Sequence, residues 1–163
     1  MQRHPEDNTS SRQAAEPADS EPHSEIPKPD TPAETTVLPF FQSKVSAGFP
    51  SPADDYLETK LDLNQYLIRY PASTFFVRVN GDSMIQAGIH HDDILVVDRS
   101  IPVSDGKVII AVLNGEMTVK RFRKIHDKVF LYAENPAYPP LEVNEFTDFE
   151  VWGVVTSSIH KVV

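Results

Sequence analysis

The sequence predicts a mostly-β domain that is preceded by an extended, flexible N-terminal arm. From Gly48 onward, six or more short apolar runs alternate with turn residues, a spacing typical of a sandwich or a small barrel-like sheet. Asn114-Gly115 separates two of these runs and is the strongest short-range signal for a β-hairpin. The first 40 residues, in contrast, contain seven prolines and no glycine. Two regions with different physical properties are therefore expected.

Residues 1–36 have the composition of a mobile arm. The first 40 residues carry eight acidic and three basic side chains, and apolar residues are few before Val37. Such a segment cannot bury enough apolar surface to offset its conformational entropy, and its prolines disfavour helix interiors. For residues 37–47, where apolar side chains begin, the alternative is an extended strand that packs on the domain or on a partner.

Local patterns predict the individual elements of the folded region. Asp62 is expected to cap a short helix near 62–68. Runs rich in Val, Ile, Phe and Tyr between turn residues predict the strands. The predicted strands are 74–79, 92–98, 107–113, 116–122, 128–133, 141–143 and 150–155.

The composition excludes several classes of function. A net charge of −9 disfavours duplex DNA as a ligand, so no direct sequence-specific DNA binding is expected. The absence of cysteine excludes thiolate nucleophiles and cysteine-ligated metals. The chain has no apolar run of about 18 residues and no apolar stretch after its first charges, so neither a membrane span nor a secretory signal is predicted. A cytoplasmic location is expected.

The hairpin places a lysine in apolar surroundings. A two-residue turn at Asn114-Gly115 sets Lys120 directly opposite Ile109, with Thr118 as one of its same-face neighbours. If Lys120 points into the apolar cover of the sheet, burial lowers its pKa, and a neutral lysine can act as a general base. The alternative is a lysine on an edge strand that points to water and discourages aggregation.

Ser83, in the stretch "NGDSM", is either a nucleophile or an ordinary turn residue. The nearby His90-His91-Asp92-Asp93 could pair with Ser83 or bind a metal weakly, although a solvated turn is the favoured interpretation. Neither G-x-S-x-G nor S-x-x-K occurs around Ser83, because residue 85 is isoleucine and residue 86 is glutamine. Any pairing of Ser83 with a lysine must therefore be long-range.

Three stretches carry a resemblance to a known family. "GFPSPADDYLETKLDLNQYLI", "FFVRVNGDSMIQAGIHHDDILVVD" and "GEMTVKRF" resemble the UmuD/LexA family of Ser–Lys self-cleaving proteins, and most closely its UmuD/MucA type. The resemblance covers roughly residues 37–163, with 35 residues from Gly48 to Ser83 and 37 from Ser83 to Lys120. It implies a LexA/signal-peptidase-like β-sheet fold.

The resemblance also implies roles for matching residues. Ser83 would be the nucleophile and Lys120 the buried, neutral general base. The scissile bond would be Ala47-Gly48, which divides the chain into an arm, residues 1–47, and a peptidase-like domain, residues 48–163. Main-chain N–H groups of Asp82 and Ser83 would form the oxyanion hole. No cofactor and no metal are expected.

The partners follow from the resemblance alone. RecA filaments on single-stranded DNA would stimulate self-cleavage in the SOS response, and the processed homodimer would act with a UmuC-type Y-family DNA polymerase in error-prone translesion synthesis. Ala47 stands where UmuD itself has cysteine, but alanine is the residue of LexA and MucA. Residues 1–36 extend beyond a typical UmuD, and the resemblance assigns them no role.

Three alternatives remain open at this point. A LexA-like repressor would need an N-terminal DNA-binding domain, and the 47 residues before the scissile bond are acidic, proline-rich and without helical periodicity. An interaction module with a vestigial Ser–Lys pair would keep the fold without the reaction. A signal-peptidase-like enzyme that acts on other chains would need a membrane anchor, which is not predicted.

Overall fold

The computed structural model of the 163-residue chain describes residues 35–42, 45, 47, 48 and 58–163. The described chain is mostly antiparallel β-structure, which confirms the predicted fold class. One short helix, α1, spans Leu63–Leu67, and Asp62 caps it by accepting hydrogen bonds from the amides of Asn64 and Gln65. The strands are β1 (Leu38–Phe41), β2 (Glu58–Leu61), β3 (Thr74–Arg78), β4 (Ile94–Asp98), β5 (Val108–Leu113), β6 (Glu116–Ile125), β7 (Lys128–Tyr132), β8 (Leu141–Val143) and β9 (Phe149–Ile159).

The strands form two sheets. In the larger sheet, seven strands are arranged in the order β3-β4-β9-β5-β6-β7-β8. The C-terminal strand β9 thus lies between β4 and β5, and it joins the β3-β4 hairpin to the β5–β8 meander. The smaller sheet contains only β1 and β2, which pair antiparallel from Leu38 opposite Leu61 to Phe41 opposite Glu58.

The predicted β5-β6 hairpin is confirmed in register as well as in position. Asn114 and Gly115 form its two-residue turn with φ values of 49° and 86°, the left-handed conformation that such turns require. Lys120 is paired with Ile109, as the sequence predicts. β7 pairs with β6 only from Arg121 to Ile125, so Lys120 lies just outside that pairing. The alternative of a lysine that points to water is nevertheless wrong, because Lys120 is half-buried.

The hydrophobic core covers both faces of the large sheet. Successive residues of a strand point to opposite faces, and in β5 Ile109 and Ile110 are both fully buried. Ile110 packs in one cluster with Leu95 and Val97, whereas Ile109 packs in a second cluster with Leu131. A strand buried on both faces accounts for the uninterrupted apolar run at 108–113.

The predicted N-terminal arm is described only in part. Residues 1–34, 43, 44 and 46 lie outside the described residues, so the flexible arm remains a prediction. Leu38–Phe41 is an extended strand that pairs with Glu58–Leu61. For these four residues, the extended strand of the alternative interpretation is observed, but all four are exposed, so packing of the strand on the domain remains a prediction.

Candidate active site

Ser83 lies in the loop that follows β3. Gly81 has a φ of +100°, a conformation that side-chain-bearing residues rarely adopt, and it turns the chain immediately before Asp82 and Ser83. Met84 is 1% exposed and anchors the loop in the core, and a short 3₁₀ helix follows at Ile85–Ala87. The loop therefore holds a half-buried serine between a glycine turn and a buried methionine.

The side chain of Lys120 extends from β6 to Ser83. Its Nζ atom lies 2.9 Å from Ser83 Oγ, although the two residues are 37 positions apart in the sequence. The same Nζ atom is 3.1 Å from Thr118 Oγ1 and donates to the carbonyl oxygen of Val119 at 3.0 Å. Lys120 is thus held by three oxygen atoms, one of which is the hydroxyl of the predicted nucleophile.

Burial lowers the pKa of Lys120 below its ordinary value of 10.5. The ammonium form loses hydration when it is half-buried, and this loss favours the neutral amine. A neutral amine carries a lone pair and can accept the proton of a hydroxyl at hydrogen-bond distance. The sequence prediction of a lysine with a lowered pKa therefore agrees with the geometry around Lys120.

The two side chains border a cleft with a volume of about 350 Å³. One part of the cleft wall is the polar main chain of Gly81, Asp82 and Ser83. Within the described part of the chain, the main-chain N–H groups of Asp82 and Ser83 form no hydrogen bond, so both are available as donors. The apolar part of the wall includes Val77, Val79, Leu95, Ile110, Met117 and Val119.

A second loop holds Asp82, and the sequence reasoning did not identify it. The Tyr138 hydroxyl donates to Asp82 Oδ1 at 2.6 Å, and Asn135 Nδ2 donates to the Asp82 carbonyl oxygen at 3.1 Å. The amide of Gln86 also donates to the carbonyl oxygen of Glu134 at 2.9 Å. Residues 134–138 therefore brace the serine loop through contacts across about 50 positions, which no local pattern reveals.

The contact of Thr118 with Lys120 could have been predicted from the sequence. Residues two apart on a strand share a face, and Thr118 precedes Lys120 by two in β6. The hairpin register placed Thr118 beside Lys120 but assigned it no function. Its hydroxyl contacts the same Nζ atom as Ser83 does, and so it helps to fix the lysine side chain.

Ala47 and Gly48 lie in the connection between β1 and β2. Both are exposed and form a bend. Neither belongs to the described lining of the cleft, and a Cβ atom added to Gly48 would meet nothing within 4 Å. Their assignment as the cleavage site therefore remains a prediction.

The turn His90-His91-Asp92-Asp93 differs from the solvated turn that the sequence favours. Asp93 is 2% exposed, and its carboxylate accepts hydrogen bonds from Ser158 and from the main chain of His90, so the turn is not simply solvated. The reason is tertiary, because the end of β9 covers this turn. Among the hydrogen bonds of the described residues, the side chain of Ser83 contacts Lys120 and no histidine.

Comparison with known proteins identifies the family. A family model described as "Peptidase S24-like" matches residues 39–156, a range that includes Ser83, Lys120 and the whole cleft. The chain therefore belongs to the Peptidase S24-like family.

Similarity to individual proteins indicates the type within the family to which the chain belongs. The protein SamA of Salmonella typhimurium is 48% identical over 126 residues, which are 77% of this chain and 87% of SamA. The protein MucA of Escherichia coli is 41% identical over 123 residues, or 75% of this chain and 84% of MucA. The LexA repressor of Proteus mirabilis is 40% identical over 101 residues but is matched over only 49% of its length. The chain is thus a UmuD/MucA-type member of the family.

The α-helix in the described residues is too short to cross a membrane.

Proposed function

We propose that this protein is a serine peptidase that cleaves its own Ala47-Gly48 bond. The observation that supports this proposal most directly is the 2.9 Å separation of Lys120 Nζ and Ser83 Oγ at the edge of an apolar cleft. A hydroxyl is a weak nucleophile at neutral pH and needs an adjacent base, and a lysine with a lowered pKa can serve as that base. Membership of a peptidase family supports the same chemistry.

The reaction proceeds by acyl transfer. Ser83 Oγ forms a bond with the carbonyl carbon of Ala47, and its proton moves to Lys120 Nζ. When the tetrahedral intermediate collapses, the bond from Ala47 to the Gly48 nitrogen breaks, and Lys120 returns the proton to the amine that leaves. Water then attacks the carbonyl carbon of the ester and gives a proton to Lys120, the bond from Ala47 to Ser83 Oγ breaks, and Lys120 returns the proton to Ser83 Oγ. The products are residues 1–47 and 48–163.

The cleft supplies the remaining requirements of this reaction. The main-chain N–H groups of Asp82 and Ser83, which have no hydrogen-bond partner among the described residues, would donate to the oxyanion of the intermediate. Ala47 and Gly48 are small, so an extended backbone that carries them can approach Ser83 closely. Because both residues are exposed between β1 and β2, cleavage requires this connection to move into the cleft.

Incubation of the purified protein at alkaline pH tests the proposal. A high pH deprotonates Lys120, so the chain is expected to yield a fragment whose N-terminal sequence begins at Gly48. Ser83→Ala is expected to abolish this fragment. Ser104→Ala is the matched control, because Ser104 is an exposed serine away from the cleft, and this variant is expected to cleave at the wild-type rate. Cleavage that persists in Ser83→Ala would exclude Ser83 as the nucleophile.

We further propose that the reaction belongs to the SOS response. The assignment to the UmuD/MucA type supports a cytoplasmic protein whose self-cleavage is stimulated by RecA filaments on single-stranded DNA. The processed form, residues 48–163, would be a homodimer that acts with a UmuC-type Y-family DNA polymerase in translesion synthesis.

The rate of cleavage at neutral pH, measured with and without RecA filaments, tests this assignment. We expect the filament to accelerate cleavage of the wild type and to leave Ser83→Ala intact. An unchanged wild-type rate would contradict the SOS assignment but not the Ser–Lys chemistry. If the wild type fails to cleave at alkaline pH as well, the Ser–Lys pair is vestigial and the protein is an interaction module.

A further inference from the structure

A second polar cluster lies where the end of β9 meets the turn before β4. Its centre is Asp93, whose side chain is 1% exposed and therefore removed from water. His160 follows the last residue of β9, and its Nδ1 atom is 2.6 Å from Asp93 Oδ1. His90 lies on the other side, with its Nδ1 atom 3.7 Å from Asp93 Oδ2. Two imidazoles thus flank one buried carboxylate.

One nitrogen of the His90 ring lacks a hydrogen-bond partner in this arrangement of the described residues. Among the buried side-chain nitrogen and oxygen atoms of the described residues, His90 Nδ1 is the one without a hydrogen-bond partner. A buried polar atom without a partner is costly and calls for an explanation, of which a bound ion is one. The rings of His90 and His160 are 4.8 Å apart, and the three potential ligand atoms of the cluster lie within 4.8 Å of one another.

The set of donors matches a particular class of cation. Imidazole nitrogens together with a carboxylate favour Zn²⁺ and similar transition metals over Mg²⁺ or Ca²⁺, which prefer oxygen ligands. Tetrahedral ligands about 2.0 Å from zinc are roughly 3.3 Å apart. The 2.6 Å hydrogen bond between His160 Nδ1 and Asp93 Oδ1 therefore has to open, and the cluster, whose ligand atoms lie within 4.8 Å of one another, has to close around the ion. The His160 side chain is 47% exposed and lies beyond the end of β9, so its ring can make the small adjustment needed.

The surroundings of Asp93 favour its role as an anchoring ligand. The Ser158 hydroxyl and the His90 amide donate to Asp93 Oδ2 at 2.9 Å and 2.8 Å and fix the orientation of the carboxylate, as outer contacts do for metal ligands.

We propose that His90, Asp93 and His160 form a binding site for Zn²⁺, with a fourth position left to water. The ion would link the end of β9 to the turn before β4. The site does not include Ser83 or Lys120, and its existence does not depend on self-cleavage.

Calorimetric titration of the full-length protein with ZnCl₂ at neutral pH tests the proposal. We expect saturable binding of one ion at this site, which weakens at least about tenfold in His90→Ala and in His160→Ala, because each variant removes a ligand. His91→Ala is the matched control, since His91 neighbours His90 but pairs with the exposed Asp92. This variant is expected to bind zinc as the wild type does.

Two further readouts separate loss of a ligand from loss of the fold. Zinc is expected to raise the melting temperature of the wild type and of His91→Ala, but to raise that of His160→Ala far less at the same concentration. Co²⁺ bound in place of zinc should give the visible absorption of a four-coordinate ion in the wild type and in His91→Ala, but not in His90→Ala or His160→Ala. Zinc affinities of His90→Ala and His160→Ala equal to that of the wild type, or the absence of saturable binding to the wild type, would overturn the proposal.

Discussion

The seven-stranded sheet and the β1-β2 hairpin are built from the same antiparallel pairing but are stabilised differently. The large sheet has apolar clusters on both faces, and residues such as Leu95, Ile109 and Leu131 are fully buried. None of the residues of β1 is buried, and Phe40 and Phe41 are 46% and 53% exposed. Backbone hydrogen bonds without apolar burial contribute little net stability. The hairpin is therefore expected to open at a lower free energy than the sheet does.

This difference in stability matches the different roles of the two regions in the proposed reaction. The proposed nucleophile and base are anchored by the sheet and by Met84, so that their separation is fixed. The proposed substrate bond lies between two weakly stabilised strands, which can separate without unfolding the core. A self-cleaving protein needs this asymmetry, because a catalytic pair must be preorganised whereas its own substrate segment must move.

Loss of the proposed base is expected to have the largest effect. Lys120→Met should slow cleavage by about 100- to 10,000-fold, the usual contribution of general acid–base catalysis. Lys120→Arg should be equally slow, because arginine keeps the charge but does not deprotonate. Lys124→Met, an exposed lysine further along β6, is the control and should leave the rate unchanged. The rate of appearance of fragment 48–163 measures all three, and normal cleavage by Lys120→Arg would contradict the role of Lys120 as base.

Truncation of core and hairpin residues tests the difference in stability itself. Leu131→Ala is expected to lower the free energy of unfolding by about 2–5 kcal/mol, because it leaves a cavity in a fully buried site. Phe40→Ala should cost less, about 1 kcal/mol, since nearly half of this residue is exposed and its truncation leaves no enclosed cavity. Urea unfolding followed by circular dichroism compares the two variants. Equal losses of stability would show that the hairpin is as firmly packed as the sheet, and would contradict the expected difference in stability between them.

The pH dependence of cleavage is expected to follow Lys120. Only the neutral amine accepts the proton of Ser83, so the rate should rise about tenfold per pH unit and then level off above the pKa of Lys120 in the folded protein. Because burial lowers that pKa, the plateau should begin below pH 10.5. Single-turnover rates across the alkaline range measure the profile. A rate that keeps rising beyond pH 10.5 would indicate that the lysine is not desolvated.

The pKa shift has a matching effect on stability. In the unfolded chain Lys120 regains its ordinary pKa, so between the two pKa values the unfolded state binds more protons than the folded state. The ionisation of Lys120 therefore opposes folding at low pH, and this opposition disappears as the pH rises through that interval. Burial of Lys120 in the proposed active site therefore lowers the stability of the folded protein, whereas the buried apolar residues of the sheet raise it.

The smallest effect is expected from the loop that braces Asp82. Tyr138→Phe removes the hydroxyl that donates to Asp82 Oδ1, and it should slow cleavage a few-fold because the serine loop loses one of its restraints. Tyr132→Phe, on β7 and outside the lining of the cleft, is a matched control that should cleave normally. Comparison of the two rates at one pH measures the effect. Equal rates would mean that Asn135 and Met84 fix the loop without Tyr138.

Much of the fold could be read from local sequence. The Asn114-Gly115 turn fixed the pairing of β5 with β6 residue by residue, because two-residue hairpins with this turn permit one register. Asp62 marked the start of α1, since an aspartate satisfies the free amides of the first helical turn. The pair Ser83 and Lys120 and the bond Ala47-Gly48 came from the resemblance of collinear motifs, not from local pattern.

The sequence by itself thus determined the strand-rich class, the hairpin and the identity of the candidate residues. Only the tertiary structure decided that β9 inserts between β4 and β5, that residues 134–138 hold Asp82, and that His160 meets Asp93. The physical reason is the range of the interactions. Turns and caps depend on residues that are neighbours in the chain, whereas strand order and the burial of Lys120 depend on apolar surface buried across the whole domain.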